Sequence, residues 1–244
     1  FIFINTTKGI KKPTDLIGGR IGVHSLQATA ILWMRGILEE EYGVPHGEVS
    51  WVSGKAEEIP FTPSDGMSFQ MAPPDRSLED MLVEGDLDAV LHPDVIQPIL
   101  DGDERVGRLW DDYQAEEQAY FQRTGIFPIM HVTVFRPEVV EEHPWVVFNM
   151  MRAFERAKRK AYDRRENPRV VGLAWFRNYL DKERKILGED PWEYGLTDGN
   201  RKTLEAMIRY SHRAGLISRA IPVDELFLEI PVDMDTGRGE HKRD

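Results

Sequence analysis

The chain has 244 residues, 41% of them hydrophobic, no cysteine and a formal net charge of -11. That length suits one large domain or two lobes of ordinary size, and the absence of cysteine excludes disulfides, thiolate nucleophiles, iron–sulfur clusters and cysteine-ligated zinc. The acidic balance argues against nucleic acid as a partner, since phosphate binding needs a basic face, and no apolar stretch reaches the roughly 18 residues that span a bilayer, so no membrane insertion is expected.

Phe1-Ile2-Phe3-Ile4 opens without Met in what reads as the middle of a β-strand, which implies residues upstream and hides any targeting signal. The expected compartment is therefore the cytoplasm, or the periplasm should the unseen N-terminus carry a signal peptide. Residues 8–19 are turn-rich and lead into the short strand Arg20-Ile21-Gly22-Val23-His24. Residues 26–42 follow with Leu26, Ala30, Trp33 and Ile37 at helical spacing. Val49-Ser50-Trp51-Val52 is the next strand, and the polar, Pro-rich stretch 54–75 has no assignable element. Ser77 reads as the N-cap of a short helix that Gly85 stops, and Leu87-Asp88-Ala89-Val90-Leu91 is a buried strand ending at His92.

Residues 111–124 read as a helix closed by Gly125, and 127–135 as a strand. The residues beyond are nearly all helical, over 143–165, 169–187 and 198–214, before a polar tail at 235–244 whose composition suits disorder. Alternating strands and helices imply an α/β fold with a mainly parallel sheet. The expected organisation is an α/β ligand-binding lobe over 11–126. Residues 1–10 and 127–244 supply two crossing strands and the helical part of another lobe, with that lobe's N-terminal part expected upstream.

Ligands of open α/β sheets bind beyond the carboxyl ends of strands, where His24-Ser25 and His92-Pro93-Asp94 lie. Ser25 precedes a helix, whose free N–H groups and dipole suit a carboxylate, and Gln27 and Thr29 add donors; the plain alternative is an ordinary N-cap. Arg35 suits a second carboxylate or an ion pair with Glu39 one turn on, and Arg123, just before the 127–135 strand, has the same two readings. His24, His92 and His131 suit proton transfer, against the plainer reading of histidines bonded to backbone. His24, His92, His131 and Asp94 form a nitrogen-and-oxygen set for a divalent metal, but no short-spaced ligand pair supports it, so no cofactor is expected. The charge runs 39–41 and 156–160 read as solvated helix faces.

Several stretches together resemble the 4,5-dihydroxyphthalate decarboxylases. They are Gln27-Ala28-Thr29-Ala30, Trp33-Met34-Arg35-Gly36-Ile37-Leu38, Glu41-Tyr42-Gly43-Val44, Thr124-Gly125-Ile126-Phe127-Pro128-Ile129-Met130-His131, His143-Pro144-Trp145 and Tyr194-Gly195-Leu196. The resemblance implies a type II periplasmic-binding-protein-like fold, two lobes with a hinged inter-domain cleft and a mostly helical C-terminal part. It departs at His24-Ser25-Leu26 and His92-Pro93-Asp94, where the ligand should sit. It further implies decarboxylation of a hydroxylated aromatic dicarboxylate to protocatechuate in aromatic degradation; for that chemistry the residues themselves suggest His131 or His92 as acid, Ser25 with the helix start as carboxylate clamp and Arg35 as charge partner. The competing class is a non-catalytic solute-binding protein for a small organic anion, serving a transporter. In either class the partner is a small aromatic or organic carboxylate, and self-association into a homo-oligomer stays open.

Overall fold

The computed structural model describes residues 1–60, 63, 66–228 and 230. The fold is α/β, and its described strands form one mixed sheet: β1 (Ile2–Asn5), β2 (Arg20–Val23), β3 (Ser50–Ser53), β4 (Ser68–Met71), β5 (Ala89–Leu91) and β6 (Val106–Arg108). Their order is β4-β3-β2-β5-β1-β6; β4, β3, β2 and β5 are parallel neighbours, whereas β1 runs antiparallel between β5 and β6. The described helices are α1 (Thr29–Tyr42), α2 (Leu78–Glu84), α3 (Gln97–Leu100), α4 (Tyr113–Thr124), α5 (Pro137–Glu142), α6 (Trp145–Glu166), α7 (Phe176–Leu187), α8 (Asp198–Arg213) and α9 (Val223–Leu226). Among the described residues no helix is long and apolar enough to cross a membrane.

The central strands are apolar on both sides because helices cover both faces, as parallel sheets require. Side chains alternate between two clusters: Ile2, Ile4, Ile21, Val23, Trp51, Ala89 and Leu91 join Ile31 and Leu38 of α1, while Phe3, Val52 and Val90 join Met81 and Leu82 of α2. Gly22 falls on the α2 side, where a Cβ would stand 2.7 Å from Leu87 Cδ1. The ends of α2 are set locally: Ser77 Oγ accepts the Asp80 N–H at 3.0 Å, and Gly85 takes the left-handed conformation at φ 83°. Helix α1 is buried on more than one side, and its Gly36 lies against the Tyr210 ring, whose Cδ2 would be 2.2 Å from an added Cβ.

The described residues pack as two compact units, Phe1–Tyr120 with Leu204–Pro222, and Phe121–Thr203 with the described residues from Val223 on. The sequence reading counted residues 1–10 with the second part; β1 instead pairs on both sides within the first unit's sheet. The strand expected over 127–135 does not form. Residues 125–136 carry no regular structure, and Val134 is 83% exposed. A strand must share its N–H and C=O groups with a neighbour, and no described strand pairs with this one. Helix α7 starts at Phe176 rather than 169, β4 lies inside the unassigned stretch, and the tail 235–244 falls outside the described residues.

One member of each charge run is tied into the fold, while most of the others stay exposed or half-exposed. In the second unit Lys158 is buried, with Nζ 2.6 Å from Asp190 Oδ2 and 2.9 Å from Glu155 Oε2, and the Tyr162 hydroxyl donates to Asp190 Oδ1 at 2.7 Å. In the first unit Arg209 Nη2 donates to both oxygens of Glu40 at 3.0 Å. His46 is buried beside Trp51, which donates its indole N–H to the His46 carbonyl at 3.0 Å. Its Nε2 is 3.4 Å from Glu39 Oε2, yet burial, and then the nearby Arg35 charge, push the imidazole down to about 4, so the ring is neutral near pH 7.

Two stability measurements follow from this packing. Gly36→Ala should cost about 1–3 kcal/mol despite the better helix propensity of alanine, because the methyl group must displace the Tyr210 ring, and denaturant titration should show a lower midpoint with an unchanged slope. For His46 the unfolded chain binds the extra proton between about pH 6.5 and 4 and the folded chain does not. Its contribution is therefore complete above pH 6.5 and lost as pH falls toward 4, by roughly 3 kcal/mol in all. His46→Gln should flatten the stability profile in that window, and an unaltered slope would contradict the assignment.

Candidate functional site

Parallel pairing of β2 with β5 sets Val23 opposite Leu91, so the next residues, His24 and His92, leave the sheet at the same edge. A pocket of about 270 Å³ opens there, lined by His24, by Ala28, Ala30 and Ile31 at the start of α1, and by His92, Pro93 and Asp94. That volume is near the small end for ligand sites and suits a single substituted ring. The first intrahelical bond of α1 runs from the Leu32 N–H to the Ala28 carbonyl at 2.9 Å. The first-turn N–H groups of Thr29, Ala30 and Ile31 lie before it, at the positive end of a 14-residue helix. His92 Nδ1 lies 3.1 Å from the Asp94 main-chain nitrogen and 3.0 Å from the Asp94 carbonyl oxygen, so the turn can hold the ring with Nδ1 as acceptor when it is neutral and as donor when it is protonated. His24 is exposed at the pocket edge.

Ser25 is not the N-cap of α1. The helix begins at Thr29 with Ala28 at the cap, and residues 25–28 make a turn closed by the Ala28 N–H to the Ser25 carbonyl at 3.3 Å. Local side-chain bonding competes with extending the helix back to Ser25. The buried Ser25 hydroxyl donates to Glu57 Oε2 at 2.7 Å, the Leu26 N–H to Glu57 Oε1 at 2.7 Å and the Gln27 N–H to Glu57 Oε2 at 3.1 Å. The Gln27 side-chain amide bonds the Ile59 main chain in both directions, accepting its N–H at 3.1 Å and donating to its carbonyl. The donors expected to hold a carboxylate do hold one, and it belongs to the chain itself. Glu57 lies in the stretch that no sequence pattern organised, and nothing in Lys55-Ala56-Glu57-Glu58 marks it out.

Arg35 lies beneath this turn, wholly buried, and does not line the pocket. Its Nη1 is 3.4 Å from the Leu26 carbonyl, its guanidinium stands 5.1 Å from the centre of the Trp51 ring, and its Nε has no hydrogen-bond partner. Burial lowers its pKa to about 10 against the opposing pull of Glu57 and Glu39, so it stays charged at neutral pH and those carboxylates balance it. Thr29 is the first residue of α1 and, unlike Ala28, Ala30 and Ile31, does not line the pocket.

His131 and Arg123 belong to the second unit, the former exposed in the irregular stretch and the latter in the last turn of α4. Neither lines the pocket described here. Among the described residues no group of three or more His, Asp or Glu is disposed to hold a metal ion. A smaller cavity of about 110 Å³ in the second unit is bordered by Asp190, Glu193 and Asn200 and has no histidine in its lining.

No family model matches the chain. It is similar to the 4,5-dihydroxyphthalate decarboxylase of Comamonas testosteroni, with 33% identity over 234 residues that cover 93% of this chain and 71% of that protein. It is also similar to the 4,5-dihydroxyphthalate decarboxylase of Pseudomonas putida, with 34% identity over 128 residues, 50% of this chain and 49% of that protein.

Proposed function

The chain belongs to the 4,5-dihydroxyphthalate decarboxylase family, and on that footing we propose that it removes one carboxylate, as carbon dioxide, from a hydroxylated aromatic dicarboxylate of the 4,5-dihydroxyphthalate kind, giving protocatechuate. The observation that carries this reading is the convergence of His24, His92 and Asp94 with the first turn of α1 on one pocket.

In this reading the retained carboxylate rests against the helix start, where free N–H groups and the dipole favour an anion. Asp94 suits the ring hydroxyls, because a carboxylate accepts their protons and repels a second carboxylate. His24 takes the proton of the hydroxyl para to the departing group. Electron density then reaches the carbon bearing that group, and His92 in its imidazolium form, with Nδ1 facing the Asp94 carbonyl oxygen, delivers a proton to it from Nε2. The bond to the carboxylate breaks, carbon dioxide leaves, and the bonding pair restores the aromatic ring. The hydroxyl regains its proton from His24, and His92 is reprotonated by solvent, so the net change is one proton consumed and one carbon dioxide released.

The same reading makes the two compact units the lobes of a type II periplasmic-binding-protein-like fold. The chain's three passages between the units and a pocket at strand carboxyl ends support it. Incubation with 4,5-dihydroxyphthalate should release carbon dioxide. His92→Asn and His24→Asn should each lower kcat by about 10²–10⁴-fold while changing binding far less. Full turnover in both variants would end the assignment, and thermal stabilisation of the wild type without gas would point to a solute-binding protein instead.

A further inference from the structure

The cradle formed by Ser25, Leu26 and Gln27 has the chemistry of a carboxylate seat: one hydroxyl and two main-chain N–H groups gather on a single carboxylate, over a buried guanidinium whose Nε is unpartnered. Its occupant arrives on residues 54–60, which carry no helix or strand. The start of this strap is anchored, with the Gly54 and Lys55 N–H groups bonded to the Val23 and His24 carbonyls at 2.9 and 3.1 Å. Residues 56–60 bury no apolar side chain, and Ile59 is 70% exposed. They are held to the rest of the chain by Glu57, which takes the cradle donors and a longer bond from Ser53 Oγ at 3.4 Å, and by the Gln27 amide on Ile59. Lifting them exposes no core, so the strap belongs to the least stable parts of the first unit. An incoming carboxylate that replaces Glu57 inherits the same donors and leaves Arg35 with a counter-charge, so the exchange strands no buried ion.

We propose that Glu57 is an internal stand-in for a ligand carboxylate, and that residues 56–60 of the strap swing out on the anchored Gly54 and Lys55 when an aromatic dicarboxylate seats one carboxylate in the cradle and its ring in the adjoining pocket. The ligand class rests on the function proposed above; the exchange itself deepens that reading by making a tethered carboxylate the competitor that sets apparent affinity.

Phthalate, which lacks the hydroxyls, reads binding without turnover. Calorimetric titration of the full chain should show Glu57→Ala binding phthalate about tenfold or more tightly than wild type, and Ser25→Ala added to that variant should abolish the gain. Glu57→Gln keeps the side-chain bulk and should also tighten binding if the alanine variant does not fold. In the wild type, phthalate should speed hydrogen exchange at the Ile59 N–H, which Gln27 now holds. Equal or weaker binding by the folded Glu57 variants, no binding by any protein, or slowed or unchanged exchange at Ile59 would each overturn the proposal. Carbon dioxide release from 4,5-dihydroxyphthalate separates the two readings. Turnover without the affinity gain removes the strap exchange alone, and the gain without turnover by the wild type removes the enzymatic reading alone.

Discussion

The register between β2 and β5 is the constraint from which the site follows. With Val23 opposite Leu91, two residues 68 positions apart emerge side by side, and a slip of one position would turn every side chain of β2 to the other face. Two distinct cores hold the register, one beneath α1 and one beneath α2, each accepting alternate residues of the same strands. Gly22 matters here because its lack of a side chain lets Leu87 and Val90 close on β2. The histidines are thus positioned by apolar packing several residues away from them.

An acidic protein with an anion seat is no contradiction, because net charge acts over the whole surface and a seat is built from a few oriented donors. Arg35 shows how the cost is met: a buried cation is tolerated where carboxylates face it and an aromatic ring lies over it. The same arrangement explains why Ser25 and Gln27 serve the strap. Once a charged donor set exists inside a fold, a nearby carboxylate of the chain fills it unless a stronger claimant arrives.

The two units are stabilised differently. The first has continuous apolar clusters on both faces of its sheet. The second contains no described strand and leaves Trp145, Trp175 and Trp192 more than half exposed, while Lys158 ties α6 to the 188–196 segment through Asp190 and the Trp192 carbonyl. Its polar connections give direction to helices whose apolar faces are only partly covered.

Elements governed by neighbours along the chain were legible without coordinates. The Ser77 cap and the Gly85 stop of α2, the apolar runs of β2, β3 and β5, and the α1 pattern up to Gly43 all depend on contacts within a few residues. The position of His24, His92 and Asp94 just past strand ends was also legible, since strand ends are local. What tertiary structure decided was pairing. The apolar run 127–135 looks like a strand yet has none beside it among the described residues. Ser25 looks like a helix cap yet serves a carboxylate 32 positions away, and β4 needed β3 to become a strand at all. Periodicity reports which face of a segment is apolar; it carries no record of which distant group will satisfy a hydrogen bond or a charge, and that choice is made only when the chain has closed on itself.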